Sequence, residues 1–200
     1  MDIRNIKNWK EHPKFLELKA QLENEKVRKG LRWVFEIAVT LVFAALVAVL
    51  MFQTVTMQES SMEPTLEVGD RFFMNRAVYK FSSPKRGDII VFRTNASDDA
   101  ALHIRRVIGL PGETIQIRDG QIYIDGDLYD EANDFPEIIN PGLAENGVSL
   151  KSNEYFVLGD NRNNSEDSRY ADIGMVKKRY IVGKIWFTCS PFEKIGFMKG

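Results

Sequence analysis

A mainly β domain of antiparallel sheets, preceded by one N-terminal transmembrane helix, is the architecture this 200-residue sequence predicts. Three observations carry that expectation. A single uncharged apolar run ends near Phe52, short alternating or apolar segments bounded by turn residues follow it, and no long helical period appears afterwards. The chain length permits one modest domain with appendages.

The run from Trp33 to Phe52 is the predicted membrane helix. At about 1.5 Å per residue, roughly 20 residues cross about 30 Å of hydrocarbon. Residues 37–52 carry no charge, and Glu36 and Trp33 suit the interface at the inner edge. Lys26, Arg28, Lys29 and Arg32 flank the N-terminal side, while the first residues after Phe52 include no Lys or Arg. The positive-inside rule then places residues 1–32 in the cytoplasm and 53–200 outside, in a single-pass arrangement on the cytoplasmic membrane. Within residues 1–32, Phe15, Leu18 and Leu22 recur at helical spacing after Pro13, which predicts a short amphipathic helix. The apolar run begins too late, and lacks a small-residue cleavage site, for a cleavable signal peptide.

Beyond the anchor, Arg71–Met74, Asp88–Phe92, Tyr155–Leu158 and Ile181–Phe187 read as strands. Thr114–Arg118 and Gln121–Asp125 alternate around Asp119-Gly120, a hairpin signal. Residues 126–152 contain Asn140-Pro141-Gly142 and little periodicity, and are expected to form an inserted flap less ordered than the core.

Composition narrows the functional classes. A net charge of −1, with 44% hydrophobic and 28% charged residues, argues against a nucleic-acid binder. The lone Cys189 excludes an internal disulfide, and two histidines, His12 and His103, give no zinc pattern. Asp160-Asn161-Arg162-Asn163-Asn164 superficially matches a calcium loop, but Arg162 stands at a ligand position and Ser165 replaces the required Gly. No metal or cofactor is expected.

Chemistry enters at Ser61-Met62-Glu63-Pro64-Thr65-Leu66. Pro64 fixes its own φ at about −65° and drives Glu63 into an extended conformation, so Ser61 has few directions in which to point. That restriction suits a nucleophile. Other blocks follow in Pro84–Phe92, Arg105–Glu113 and Gly159–Arg169. With the preceding anchor, their order and content resemble the bacterial type I signal peptidases, membrane-bound serine proteases that remove signal peptides from exported proteins. The resemblance spans most of the chain beyond the first thirty residues. Short length and a small insertion are similar to Gram-positive members.

The resemblance implies a signal-peptidase-like catalytic domain with a serine–lysine dyad and no cofactor. Ser61 would attack the carbonyl, and a buried neutral lysine would take its proton. Here that base position is Arg105, and a guanidinium stays protonated in proteins. The family has a small residue two before the nucleophile, where this chain has Glu59, expected on the same strand face as Ser61. A carboxylate beside a developing oxyanion is unfavourable, but Glu59 and Arg105 would compensate each other as an ion pair. His103, two residues before Arg105, is an alternative base with an unperturbed pKa of about 6.5. Lys80 and Lys85 read as solvated turn residues. By resemblance, Ser165 should hydrogen-bond the base position and Asp167 should pair with Arg169 or Arg106.

Two readings follow. In the first, the chain cleaves exported preproteins after small residues at the outer face of the bilayer. In the second, it binds such chains without cutting, as dyad-deficient relatives do in surface-protein or pilus assembly. A self-cleaving repressor with a similar core is argued against by the membrane anchor.

Overall fold

The computed structural model describes residues 24–95, 97, 100–131 and 134–198, together with 13, 14 and 16. Phe15, Leu18 and Leu22, the expected amphipathic helix, lie outside the described residues. Helix α1 spans Glu25–Met51. It starts well before Trp33 because Asn24 caps it, Oδ1 accepting the Lys26 N–H at 3.1 Å. The charged residues of the first turns are good helix formers, and Glu25 pairs with Lys29 at 2.8 Å. Within Glu25–Val49 an 18-residue window reaches a mean hydropathy of 2.0, and the helix is long and apolar enough to cross a membrane. Phe52, expected as the last helical residue, is instead the first of a strand.

The compact unit from Met51 onward is built from strands. In order they are β1 (Phe52–Thr56), β2 (Arg71–Asn75), β3 (Ile89–Phe92), β4 (His103–Gly109), β5 (Thr114–Arg118) and β6 (Gln121–Ile124). There follow β7 (Asp127–Leu128), β8 (Val148–Ser149), β9 (Glu154–Leu158), β10 (Val176–Lys177), β11 (Ile181–Ser190) and β12 (Gly196–Phe197). A one-turn helix α2, Val78–Phe81, interrupts them. The larger sheet runs β1-β2-β11-β3-β4-β9-β10, with β12 on β11, and a smaller one runs β7-β6-β5-β8. Every pairing is antiparallel.

The hairpin forms where the sequence predicts it. Asp119 and Gly120 take φ of 51° and 75°, and Arg118 lies opposite Gln121. Positive φ at both central residues matches the right-handed strand twist, which is why Asp-Gly works there. Residues 126–152, expected as a flap, carry β7 and β8 on the smaller sheet and bury Ile138, Ala144 and Leu150.

Three apolar clusters make the core, and β4 touches all of them. Ile104 packs with Met62, Leu66 and Phe72; Ile108 packs with Ile115, Phe156 and Leu158; Val107 packs with Ile90, Phe92 and Tyr155. The strand is central and paired on both edges, so its register is strongly specified. This fixes where Arg105 leaves the sheet, opposite Ile90. We expect Ile108→Ala to lower stability by about 2–5 kcal/mol. The urea midpoint should fall at unchanged slope.

Candidate active site

Ser61 lies in a single 3-10 turn, Ser60–Met62, flanked by Glu59 and Glu63 in extended conformation. Glu63 is held so by the following proline. Because the backbone turns here, strand alternation does not place Glu59 beside Ser61 as the sequence suggested; a shared partner brings them together. Met62 and Leu66 anchor the segment in the first cluster.

The stretch 159–169 closes over the other side of the turn. The Asn161 N–H donates to the Ser61 carbonyl at 3.0 Å, and Asn161 Nδ2 donates to the Ser60 carbonyl at 3.1 Å. Asn164 Nδ2 donates to Ser60 Oγ at 3.2 Å. Gly159 is required where the two backbones meet. A Cβ there would stand 2.4 Å from the Ser61 carbonyl oxygen and 2.1 Å from Ser165 Oγ.

Arg105 is the centre of the arrangement. Its Nη1 lies 2.7 Å from each of Ser61 Oγ, Glu59 Oε1 and the Ile104 carbonyl, three acceptors that share its two hydrogens. Nε donates to the Glu166 carbonyl at 2.8 Å. The arginine side chain is 0% exposed and the Glu59 side chain 43% exposed, so a fully buried cation meets a carboxylate that still sees water. Burial alone would raise the Glu59 carboxyl. The Arg105 hydrogen bond and charge, with smaller help from His103 and the Ser61 hydroxyl, hold it below its ordinary value.

His103 is not brought to the serine: no hydrogen bond joins them among the described residues, and its ring packs on Phe92 at 5.7 Å. Its Nδ1 is buried without a partner among the described residues. Burial, then the Arg105 charge, lowers its pKa, against weaker opposition from Glu59 and Glu166. Ser165 departs from expectation. Among the described residues its Oγ is buried with no hydrogen-bond partner, because the planar guanidinium turns its Nε to the Glu166 carbonyl instead.

The charged residues of 159–169 form a frame. Asp167 pairs with Arg169 through two bonds of 2.8 Å, and Asp160 takes Arg106 at 2.8 and 2.7 Å. Asp167 also accepts the Gly159 N–H at 3.0 Å. Arg162 bonds both carboxylate oxygens of Glu131 and stacks on Phe135, 4.2 Å from the ring centre. The roles of Asp160 and Glu131 escape sequence reasoning. Asp160 sits in a visible charged block, but Glu131 lies in the insertion with no local cue.

Two grooves meet at Glu59. One, of about 410 Å³, is lined by Val55, Met57, Leu102, His103 and Ile104; the other, of about 390 Å³, by Ser60, Ser61, Asn164, Ser165, Glu166 and Tyr170. A larger cavity of about 490 Å³ beside Tyr129 and Phe135 includes neither serine nor lysine in its lining and is remote from this chemistry. We expect Glu59, followed by carbon-detected NMR titration, to lose its protonated form below the usual glutamate range. In Arg105→Ala the same carboxyl should titrate above that range, because burial is then opposed only by the weaker neighbours.

A family profile described as signal peptidase, peptidase S26, matches residues 30–189. Signal peptidase I T of Bacillus subtilis is 34% identical over 178 residues, covering 86% of this chain and 91% of that protein. A probable signal peptidase I-2 of Synechocystis is 38% identical over 144 residues, covering 70% of this chain and 63% of that relative's length. A crystal structure of signal peptidase I from Enterococcus faecalis aligns with a TM-score of 0.40 at 34% identity, covering 50% of this chain and 95% of that one. The chain belongs to the signal peptidase family.

Proposed function

We propose that this chain is a membrane-anchored serine endopeptidase that removes signal peptides from exported preproteins, with Ser61 attacking the scissile carbonyl. Helix α1 is the anchor, with residues 1–32 on the cytoplasmic side and the β domain on the outer side. The flanking Lys and Arg residues support that orientation. The observation that carries the reading is the placement of Ser61. Its Oγ is fixed 2.7 Å from Arg105 Nη1, on the lining of one groove and next to a second that shares Glu59. An extended substrate running from one groove to the other would pass the hydroxyl. Family membership supplies the reaction class.

A second reading is favoured by the same arginine. Arg105 stands where relatives of this type use lysine, and a guanidinium is a donor without a free lone pair. Loss of a general base costs about 10²–10⁴ in rate. A chain so altered would bind preproteins without cutting them and assist surface-protein or pilus assembly.

Preprotein processing in detergent by the wild type, Ser61→Ala and Arg105→Lys separates the two. We expect the wild type to release mature protein and Ser61→Ala to release none. Cleavage by Arg105→Lys alone would instead establish a binding protein with a repairable site. Silence from all three would also overturn the endopeptidase reading.

A further inference from the structure

The Ser61 hydroxyl has two charged neighbours, and one of them can take its proton. Arg105 Nη1 donates to Oγ, so the hydroxyl hydrogen must point elsewhere. Glu59 is the acceptor at hand. Its Oε1 is bound by the same nitrogen, at the same 2.7 Å, so Arg105 holds the carboxylate and the hydroxyl on one donor atom. The other candidates do not reach. Among the described residues Ser165 Oγ has no hydrogen-bond partner, and His103 packs on Phe92.

We propose that Glu59 is the general base for Ser61, with Arg105 clamping the hydroxyl and the carboxylate against each other. The proposal rests on the endopeptidase reading above and gives it a proton path. In acylation the Oγ proton passes to Glu59 as the Oγ–C bond forms. The C–N bond then breaks, and the leaving amine takes the proton from Glu59. In deacylation Glu59 accepts a proton from water as the hydroxide attacks the acyl carbon. Ser61 leaves with that proton, and the carboxylate is restored.

The charge sequence removes the objection to a carboxylate beside an oxyanion. Before reaction, Glu59 and Arg105 neutralise each other. When negative charge develops on the substrate oxygen, Glu59 is already protonated and the Arg105 charge is unopposed. Glu59 itself is 43% exposed, so solvent can exchange its proton between turnovers.

The pH dependence distinguishes this base from a lysine. The charged and titratable groups facing Glu59 are Arg105 and His103 on β4, and Glu166 lines the same groove. With Arg105 dominant among the charges, the carboxyl lies below its ordinary value of 4.5, and the base is ready throughout the neutral range. Activity should hold from neutral pH downward and fail in an acid limb below that value. A lysine base would fail as pH drops from alkaline toward neutral.

The test uses the full chain in detergent. The kcat/KM for preprotein cleavage is measured against pH for the wild type, Glu59→Gln and Glu59→Asp. Acylation of Ser61 by N-acetylalanine p-nitrophenyl ester is read in parallel by intact mass. We expect Glu59→Gln, which keeps the side-chain shape and an oxygen for Arg105, to lose about 10²–10⁴-fold and its acid limb. Glu59→Asp should keep the limb and part of the rate. Cleavage by Glu59→Gln at the wild-type rate would overturn the base assignment and leave the endopeptidase reading standing. Ser61 acylation with the acid limb and Glu59 dependence, without preprotein cleavage, would support the base and overturn the endopeptidase reading. Absence of both reactions overturns both.

Discussion

A guanidinium with no solvent exposure, leaving an interior strand of the larger sheet, constrains everything around Ser61. An unpaired buried charge would cost more than a domain's entire margin of about 5–15 kcal/mol. Arg105 is therefore surrounded by acceptors: the Glu59 carboxylate, Ser61 Oγ and the carbonyls of Ile104 and Glu166. Those partners come from the 3-10 turn, from β4 itself and from the stretch 159–169. The cation thus ties together the three segments that define the site. Glu59 is half in solvent, yet it is not an ordinary surface glutamate.

The surrounding ion pairs hold those segments in register. Arg106 with Asp160, Arg169 with Asp167 and Arg162 with Glu131 all have nearly buried arginines. Such pairs contribute little net stability when compared with a well-packed apolar substitute, but breaking one leaves an uncompensated charge. Their value here is positional. They deliver the Glu166 carbonyl to Arg105 and let Gly159 approach the Ser61 backbone, where no side chain would fit. Packing supplies the rest, since β4 contributes Ile104, Val107 and Ile108 to three separate clusters.

Elements with strong local codes were legible in the sequence. The apolar anchor, the Asp119-Gly120 hairpin and the runs that became β2, β3, β9 and β11 all carry their own periodicity or turn chemistry. Helix α1 begins earlier than its apolar run because hydropathy reports membrane compatibility, whereas the Asn24 cap and helix-forming charges set the start. Strands such as β7, β8 and β10 are two residues long and exist through their partners, so no period could announce them. In the site, the juxtaposition of Glu59 and Arg105 was readable from charge at two departing positions. The 3-10 turn, the orphaned Ser165 hydroxyl and the Glu131–Arg162 pair were not, because each depends on contacts between distant segments.

Whether Glu59 and Arg105 act as one unit is the point on which the account turns. A double-mutant cycle in denaturant unfolding, with Glu59→Ala, Arg105→Met and the double substitution, measures it directly. Glu59→Ala should be strongly destabilising because it strands a buried cation, and the double variant should recover much of the loss. The interaction term should fall at about 1–3 kcal/mol. Simple additivity of the two single substitutions would contradict the account, since it would mean that the carboxylate and the guanidinium sit side by side without depending on each other.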